Sequence, residues 1–269
     1  MIVTTDLVEQ IIAVGRDCEE AKLQAYRARP GNPNQIEFAS FGKARAMRFP
    51  AVPYFNQVYG FGEDLMEQLP DIIRFYRETN TNFRLWLSPE GATEKVSREL
   101  VRHGFAPWGC HTKFYAGVEE LAKVTVDSKV EAERVGQSRL DEFLAVMLSG
   151  WGMPPEHQQG ARDNMRLRLG IPGIHLFLGR LDGEAVGGAV LYQKDEIGYF
   201  ADAATPLARR GQGCQLKLME ARIHYARELG CKVIVGGAAF GNPSFRNMQR
   251  IGLKIAFTDV AWHYIGNGA

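Results

Sequence analysis

The stretch Arg209-Arg210-Gly211-Gln212-Gly213-Cys214-Gln215 runs directly into a helical pattern that continues to Leu229. Two glycines permit a tight turn and a close approach of the backbone to a ligand. The first turn of a helix offers unpaired N–H groups and the positive end of the helix dipole, and arginine adds a planar fork of donors that suits phosphate oxygens. The stretch therefore predicts an anion site at a helix N-terminus, with an ordinary strand-to-helix turn as the alternative.

Composition restricts the classes of function. The chain has 269 residues, of which 45% are hydrophobic and 23% charged, and its formal net charge is +1. These values are typical of a globular protein with one large or two ordinary domains, and they disfavour nucleic acid as a partner. No apolar run approaches the roughly 20 residues of a membrane span, and Met1–Gln10 lacks a basic signal-peptide start, so we expect a cytoplasmic protein without a membrane partner.

The four cysteines are scattered along the chain without a C-x-x-C pair: Cys18, Cys110, Cys214 and Cys231. This spacing favours reduced thiols over a disulfide framework or a zinc site, and we expect no metal. A buried thiol is the favoured interpretation of Cys214, because a nucleophilic cysteine needs an activating base nearby.

A similar order of elements occurs twice, which predicts a structural duplication. Each copy has a strand, a glycine turn, a helix, a buried strand, a helix, a glycine followed by an apolar residue, and a final strand. The predicted domains are residues 1–122 and 128–269, with a single continuous α/β domain as the alternative. In the first copy the turn Gly60–Gly62 leads into Glu63 and Asp64, which would repel a phosphate, so the anion site is expected only in the second copy.

The second half predicts a mixed sheet. Ile174–Leu178 and Ala185–Tyr192 form a predicted hairpin, Ile197–Ala204 a third strand, and a helical crossover leads to Lys232–Val235. The predicted fold class is α/β (α+β), with a mixed, mostly antiparallel sheet flanked by helices.

Residues Val130–Tyr264 resemble the Gcn5-related N-acetyltransferase (GNAT) superfamily. The loop Arg210–Gln215 is similar to the family's Arg/Gln-x-x-Gly-x-Gly/Ala loop, with Gln215 in place of the last Gly or Ala. The stretch Ala203-Ala204-Thr205-Pro206 resembles the strand end that pairs with the pantetheine arm, and Gly241–Leu253 resembles the Asn-containing segment that ends in Gly-Phe. The resemblance implies a tandem duplicated GNAT fold, with acetyl-CoA as cofactor and a degenerate GNAT-like N-terminal domain.

The resemblance also implies the residues that hold the cofactor. They are Ala203, Ala204, Thr205, Arg209, Arg210, Gly211, Gln212, Gly213, Cys214, Gln215, Asn242 and Asn247. A backbone N–H near Ala203 would polarise the thioester carbonyl. Asn242 and Asn247 have an alternative interpretation, since either can cap the helix that begins at Pro243.

Acid and base are harder to predict. Met248 stands where many family members place a tyrosine that protonates the departing thiolate, so Tyr264, His263 or no side chain takes that role. Asp202, beside the expected thioester position, is the candidate base, and its alternative is a satisfied polar residue on a half-exposed strand. Trp151 lies in a loop that either walls an acceptor pocket or packs on the core, and His157 is the second candidate for substrate binding.

The expected function is acetyl-CoA-dependent transfer of an acetyl group directly to a primary amine of a small molecule or peptide, and a homodimer is compatible with it. A non-catalytic acyl-CoA-binding regulatory module is the first alternative, because Met248 replaces the acid. An aminoacyl-tRNA-dependent transferase is the second, disfavoured by the loop and the near-neutral charge.

Overall fold

The computed structural model describes residues 2–266 and divides the chain into two compact units. Unit 1 consists of Met1–Ala25 and Phe114–Ala256, and unit 2 of Tyr26–Lys113 and Phe257–Ala269. The predicted boundary between residues 122 and 128 differs from this division, because the first 25 residues belong with the second half of the chain.

The α-helices and β-strands of the described residues follow in chain order. The helices are α1 (Thr5–Arg27), α2 (Leu69–Arg77), α3 (Glu94–Arg102), α4 (Leu140–Gly150), α5 (Pro155–Arg166), α6 (Cys214–Glu228) and α7 (Pro243–Arg250). The strands are β1 (Glu37–Phe41), β2 (Ala44–Arg48), β3 (Gln57–Tyr59), β4 (Arg84–Leu87), β5 (Phe105–Gly117), β6 (Glu131–Arg134), β7 (Ile174–Leu181), β8 (Glu184–Lys194), β9 (Ile197–Ala204), β10 (Val233–Ala239) and β11 (Lys254–Tyr264). None of the described helices combines the length and apolar composition that a membrane span requires.

Unit 1 contains the mixed sheet predicted for the second half. Its strands pair in the order β6-β7-β8-β9-β10, antiparallel except for the parallel pair β9–β10. Helix α6 contacts β7, β8 and β9, and α4 contacts β8 and β9. Leu218, Ile223 and Ala226 of α6 are buried in a common core with Leu191 and Ile234 of the sheet. Burial of this apolar surface stabilises the crossover from β9 to β10.

In unit 2 the strands pair in the order β1-β2-β3-β4-β11, and among these pairs only β3–β4 is parallel. A 3₁₀ segment, Glu63–Gln68, precedes α2, which begins at Leu69 with Pro70 in its first turn. The apolar face of this region is buried in a common core: Leu65, Leu69, Ile72, Ile73 and Tyr76. Proline fits there because the first N–H groups of a helix have no intrahelical partner.

Ion pairs explain why α1 belongs to unit 1. Lys22 of α1 is fully buried, and its Nζ lies 2.8 Å from Asp202 Oδ2 on β9 and 3.0 Å from Glu19 Oε1. Asp17 of α1 pairs with Lys194 at the end of β8. The sequence pattern does not reveal these contacts, because the partners are about 180 positions apart in the chain.

Candidate active site

A cavity of about 650 Å³ lies in unit 1 where the N-terminus of α6, the end of β9 and the start of α7 meet. Every residue predicted to bind the cofactor lines it except Gln212. The sequence therefore predicts most of the residues that the fold brings together here. The volume lies within the range of small-molecule and cofactor sites.

The loop that enters α6 has the backbone that its glycines predict. Gly211 and Gly213 both have φ of +79°, a left-handed conformation that favours glycine. Gly213 is the N-cap of α6, and no described side chain caps the helix there. A Cβ on Gly213 would lie 2.8 Å from Ser128 Oγ, which donates to the carbonyl of Gln212 over 3.2 Å. Ser128 thus stabilises the loop, and the first N–H groups of α6 are available to an anion.

Three arginines give the cavity a positive wall. Arg210 donates from Nε to the carbonyl of Thr205 over 3.2 Å, so the side chain folds back toward the end of β9. Arg209 pairs with Glu184, which offsets part of its charge. Arg250 donates to Asn247 Oδ1 over 3.0 Å. Arg210 is therefore the arginine best suited to a phosphate ligand.

Strand β9 changes course beside the cavity. Its parallel pairing with β10 ends at Phe200 and Gly236, although both strands continue. On the other side, Leu191 of β8 pairs with Phe200 while Ala189 pairs with Ala203, so one extra residue of β9 lies opposite Val190. Such a β-bulge bends a strand and re-aims its residues. The divergence leaves the end of β9, including Ala203 and Ala204, on the cavity wall.

Helix α7 supplies the facing wall. Asn242 caps this helix, with Oδ1 accepting from the N–H of Phe245 over 2.7 Å, and it also lines the cavity. Asn247 donates from Nδ2 to Gln215 Oε1 over 2.6 Å, and Gln215 donates to Ser244 Oγ over 2.5 Å. The residue that departs from the family loop thus ties the start of α6 to α7.

Cys214, the first residue of α6, is buried and packs against the sheet. A Cβ on Gly179 would lie 2.7 Å from its Sγ, so glycine makes room for the sulfur there. Burial raises the pKa of the Cys214 thiol to about 11, although a hydrogen bond with Thr205 opposes the rise. The group is a thiol at neutral pH and packs as a small apolar side chain.

Asp202, the predicted base, does not line the cavity, and its carboxylate forms ion pairs with two cationic side chains. Its Oδ2 lies 2.8 Å from both Lys22 Nζ and Arg168 Nη1. Burial acts to raise the pKa of Asp202, but the two cations outweigh it and hold the pKa below its usual range. A carboxylate paired in this way is a weak proton acceptor, so the alternative interpretation, a satisfied polar residue, fits the structure better.

The other predicted catalytic and substrate residues are dispersed. Tyr264 belongs to unit 2, where its ring stacks on Phe83 at a centroid distance of 5.4 Å, and it does not line the cavity. His157 is exposed on α5 and does not line it either. Trp151 does line the cavity, and Arg168 Cζ lies 5.9 Å from its ring centroid. Of the two predicted substrate residues, only Trp151 is at the site.

The described cavity wall contains no carboxylate, imidazole or phenol. Met248 is buried in the core against Gly236, so it neither faces the cavity nor carries a transferable proton. The ionisable groups on the wall are the three arginines and Cys214.

Sequence reasoning missed several lining residues, among them Gly150, Gly188, Ser244 and Arg250. A Cβ on Gly150 would lie 2.8 Å from the Cβ of Ala204, so glycine permits α4 to approach the end of β9. No local pattern signals this approach. Arg250 lies within the Gly241–Leu253 segment, three residues after Asn247. This helical spacing places the two side chains on one face of α7 and could have identified Arg250 as a lining residue.

Comparison with known proteins agrees with this architecture. Residues 140–251 match the model of the Acetyltransferase (GNAT) family. The chain is similar in structure to a GCN5-related N-acetyltransferase from Kribbella flavida, with a TM-score of 0.62 and 16% identity over 94% of this chain and 96% of that one. It is also similar to a tandem GNAT protein from the clavulanic acid biosynthesis pathway, with a TM-score of 0.64 and 11% identity over 100% and 98% of the two chains.

A third similar structure is a GCN5-related N-acetyltransferase from Sphaerobacter thermophilus, with a TM-score of 0.62 and 13% identity over 97% of this chain and 93% of that one. At these identities the likeness concerns the fold. No curated protein sequence matches the chain significantly. Residues 140–251 thus match the acetyltransferase (GNAT) family model, within a chain whose fold is similar to that of a tandem GNAT protein.

Proposed function

We propose that the chain is an acetyl-CoA-dependent N-acetyltransferase that moves the acetyl group directly to a primary amine of a small molecule or peptide. The proposal depends on one observation: the uncapped start of α6, Arg210 and the diverging end of β9 all line the same cavity. When bound, acetyl-CoA supplies the activated acetyl thioester.

The residues of the wall fit this cofactor. The N–H groups that follow Gly213 and the guanidinium of Arg210 suit the pyrophosphate, whose charge the helix dipole favours. Backbone groups at the end of β9 that no longer pair with β10 suit the amides of the pantetheine arm and the thioester carbonyl. Trp151 stands on the same wall and fits a place beside the acceptor.

The cavity wall also suggests how protons move. Because the described wall offers no carboxylate or imidazole, we propose that the acceptor amine loses its proton to water. The rate at subsaturating amine would then rise with pH, by about tenfold per unit up to the acceptor's own pKa near 10. A plateau near neutral pH would instead reveal a protein base.

Titration calorimetry with acetyl-CoA is the first test. Arg210→Glu reverses the charge beside the expected pyrophosphate and should weaken binding at least about 100-fold. Arg227→Glu makes the same change of charge at an exposed position of α6 outside the cavity and should leave binding unchanged. Absence of acetyl-CoA binding by the unaltered protein, or equal binding by Arg210→Glu, would refute the proposal.

A screen of primary amines for release of free CoA thiol then tests transfer. One observation favours a second candidate, a non-catalytic acyl-CoA-binding module: the described cavity wall lacks an acid and a base. That candidate predicts acetyl-CoA binding without thiol release for every amine tested. Thiol release that depends on the amine excludes it.

A further inference from the structure

Arg222 of α6 is among the largest fully buried side chains of the described protein, with a relative exposure of 1%. Burial lowers its pKa to about 9, and no described carboxylate offsets that effect. Burying an unpaired guanidinium is unfavourable, and an apolar side chain of similar size would avoid the penalty.

The guanidinium makes two hydrogen bonds and one ring contact. Nε donates to the carbonyl of Leu218 over 3.0 Å, and Nη1 donates to the carbonyl of Val190 over 3.1 Å. Cζ lies 4.1 Å from the ring centroid of Phe200. Leu218 is one helical turn nearer the start of α6 and lines the cavity. Arg222 thus connects the helix that begins at the anion loop with strands β8 and β9.

The two sheet contacts lie at the points where β9 changes course. Val190 is the residue that lies opposite the extra residue of the β-bulge, between the pairs Leu191–Phe200 and Ala189–Ala203. Phe200 is the last residue of β9 that pairs with β10. Arg222 therefore contacts both the bulge and the point of divergence, and Ala203 follows three residues later.

We propose that Arg222 is a positioning residue, which holds the bulge of β9 and thereby orients the backbone at Ala203 toward the acetyl group. This inference rests on the proposed function, which assigns that backbone to the thioester carbonyl. A planar fork can reach the helix carbonyl and the strand carbonyl at once, which a lysine or an apolar residue cannot do. Through its stacking on Phe200, the same side chain fixes where β9 leaves β10.

The test compares Arg222→Met and Arg222→Lys with Arg227→Met, which removes an exposed arginine of the same helix. Calorimetry measures the dissociation constants of CoA and acetyl-CoA, and their ratio reports the contact with the acetyl group. We expect the preference for acetyl-CoA to fall by about tenfold, the value of one hydrogen bond, in both Arg222 variants. Affinity for CoA itself should change by less than about twofold, because the pyrophosphate loop is unaltered.

Amide hydrogen exchange of residues 188–204 provides a second measurement, which needs no ligand. We expect exchange in this segment to accelerate at least about tenfold in both Arg222 variants and to stay unchanged in Arg227→Met. A role in packing alone would change the melting temperature without changing the ratio of affinities. Either an unchanged ratio or unchanged exchange in the Arg222 variants would overturn the proposal.

The two proposals fail in different ways. If the unaltered protein binds neither CoA nor acetyl-CoA, the proposed function is wrong, and hydrogen exchange alone decides whether Arg222 holds the bulge. If binding is intact and the ratio is unaltered in Arg222→Lys, the positioning role is wrong and the proposed function stands.

Discussion

Removing the charge of Lys22 should destabilise unit 1 strongly. Lys22 has no exposed surface, and its Nζ pairs with Asp202 over 2.8 Å and with Glu19 over 3.0 Å. Removing one partner of a buried ion pair typically costs about 3–5 kcal/mol, because the remaining charge is left without compensation. We expect Lys22→Met, which keeps the volume and removes the charge, to lower the free energy of unfolding.

The loss of unfolding free energy in Lys22→Met should lie near the lower end of this range. Asp202 keeps Arg168 at 2.8 Å, so it is not left alone. Burial already raises the pKa of Glu19, and without Lys22 the carboxyl group can take up a proton instead of remaining as a buried anion. A loss of about 3 kcal/mol corresponds to a fall in melting temperature of roughly 6–12 °C for a chain of this size.

The assay is thermal unfolding followed by circular dichroism at pH 7. The matched control is Lys194→Met, which removes the partner of Asp17 from a pair whose lysine side chain is 46% exposed. Partly exposed pairs contribute about 0–1 kcal/mol, so its melting temperature should change by only a few degrees. A Lys22→Met protein that melts within the range of the Lys194→Met control would refute the reasoning.

Three further predictions concern other residues. Burial, aided by Lys113, lowers the pKa of His111 from 6.5 to about 3. Between pH 3 and pH 6.5 the unfolded chain therefore binds a proton at His111 that the folded chain does not bind. The unfolding free energy should therefore decrease by up to roughly 1.4 kcal/mol per unit as pH falls through this window, and urea midpoints should show a shallower slope in His111→Gln. Gly213→Ala should weaken CoA binding at least about tenfold and cost at least about 1–2 kcal/mol of stability, because its Cβ also meets Ser128 Oγ at 2.8 Å. Gly230→Ala, at a similar φ of +78° but with open space around it, should cost about 1–2 kcal/mol from the backbone conformation alone and leave calorimetric affinity unchanged. Iodoacetamide should give one rapid adduct by mass spectrometry, at the exposed Cys110, since the other cysteines are buried, and rapid labelling of Cys214 would contradict the structure.

Local signals predicted much of the fold. The predicted strand Ile197–Ala204 and the predicted helix Pro243–Arg250 have the bounds that the structure shows. Both are marked by turn and cap residues: Asp195 before the strand has a φ of +51°, and Asn242 caps the helix. Such signals depend on a few neighbouring residues, which is why the chain alone reveals them.

Elements that depend on distant partners were predicted less well. Strand β5, Phe105–Gly117, continues through Pro107 and Gly109, because pairing overrides the tendency of these residues to break a strand. Likewise, Ser138 belongs to a 3₁₀ turn before α4 instead of capping that helix. Neither outcome can be worked out from short-range propensity.

The site shows the same contrast. The anion loop was predicted because the left-handed glycines and the helix start are properties of adjacent residues. For Asp202 the sequence left two roles open, a base or a satisfied polar residue, because its proton affinity is set by Lys22 and Arg168, which approach from other elements. The position of Asp202 along the strand made it a candidate base. Only the tertiary structure shows that Lys22 and Arg168 already form ion pairs with its carboxylate.

The placement of α1 also has a consequence for synthesis. Lys22 leaves the ribosome 180 residues before Asp202, its partner on β9. At roughly 5–20 residues per second, the helix waits about 9–36 s for that strand. During this interval residues 26–113 of unit 2 are synthesised, but Phe257–Ala269 of unit 2 and the remainder of unit 1 are not, so neither unit can be completed. Nascent chains halted before β9 should therefore expose α1 to protease, and chains that extend beyond β10 should protect it.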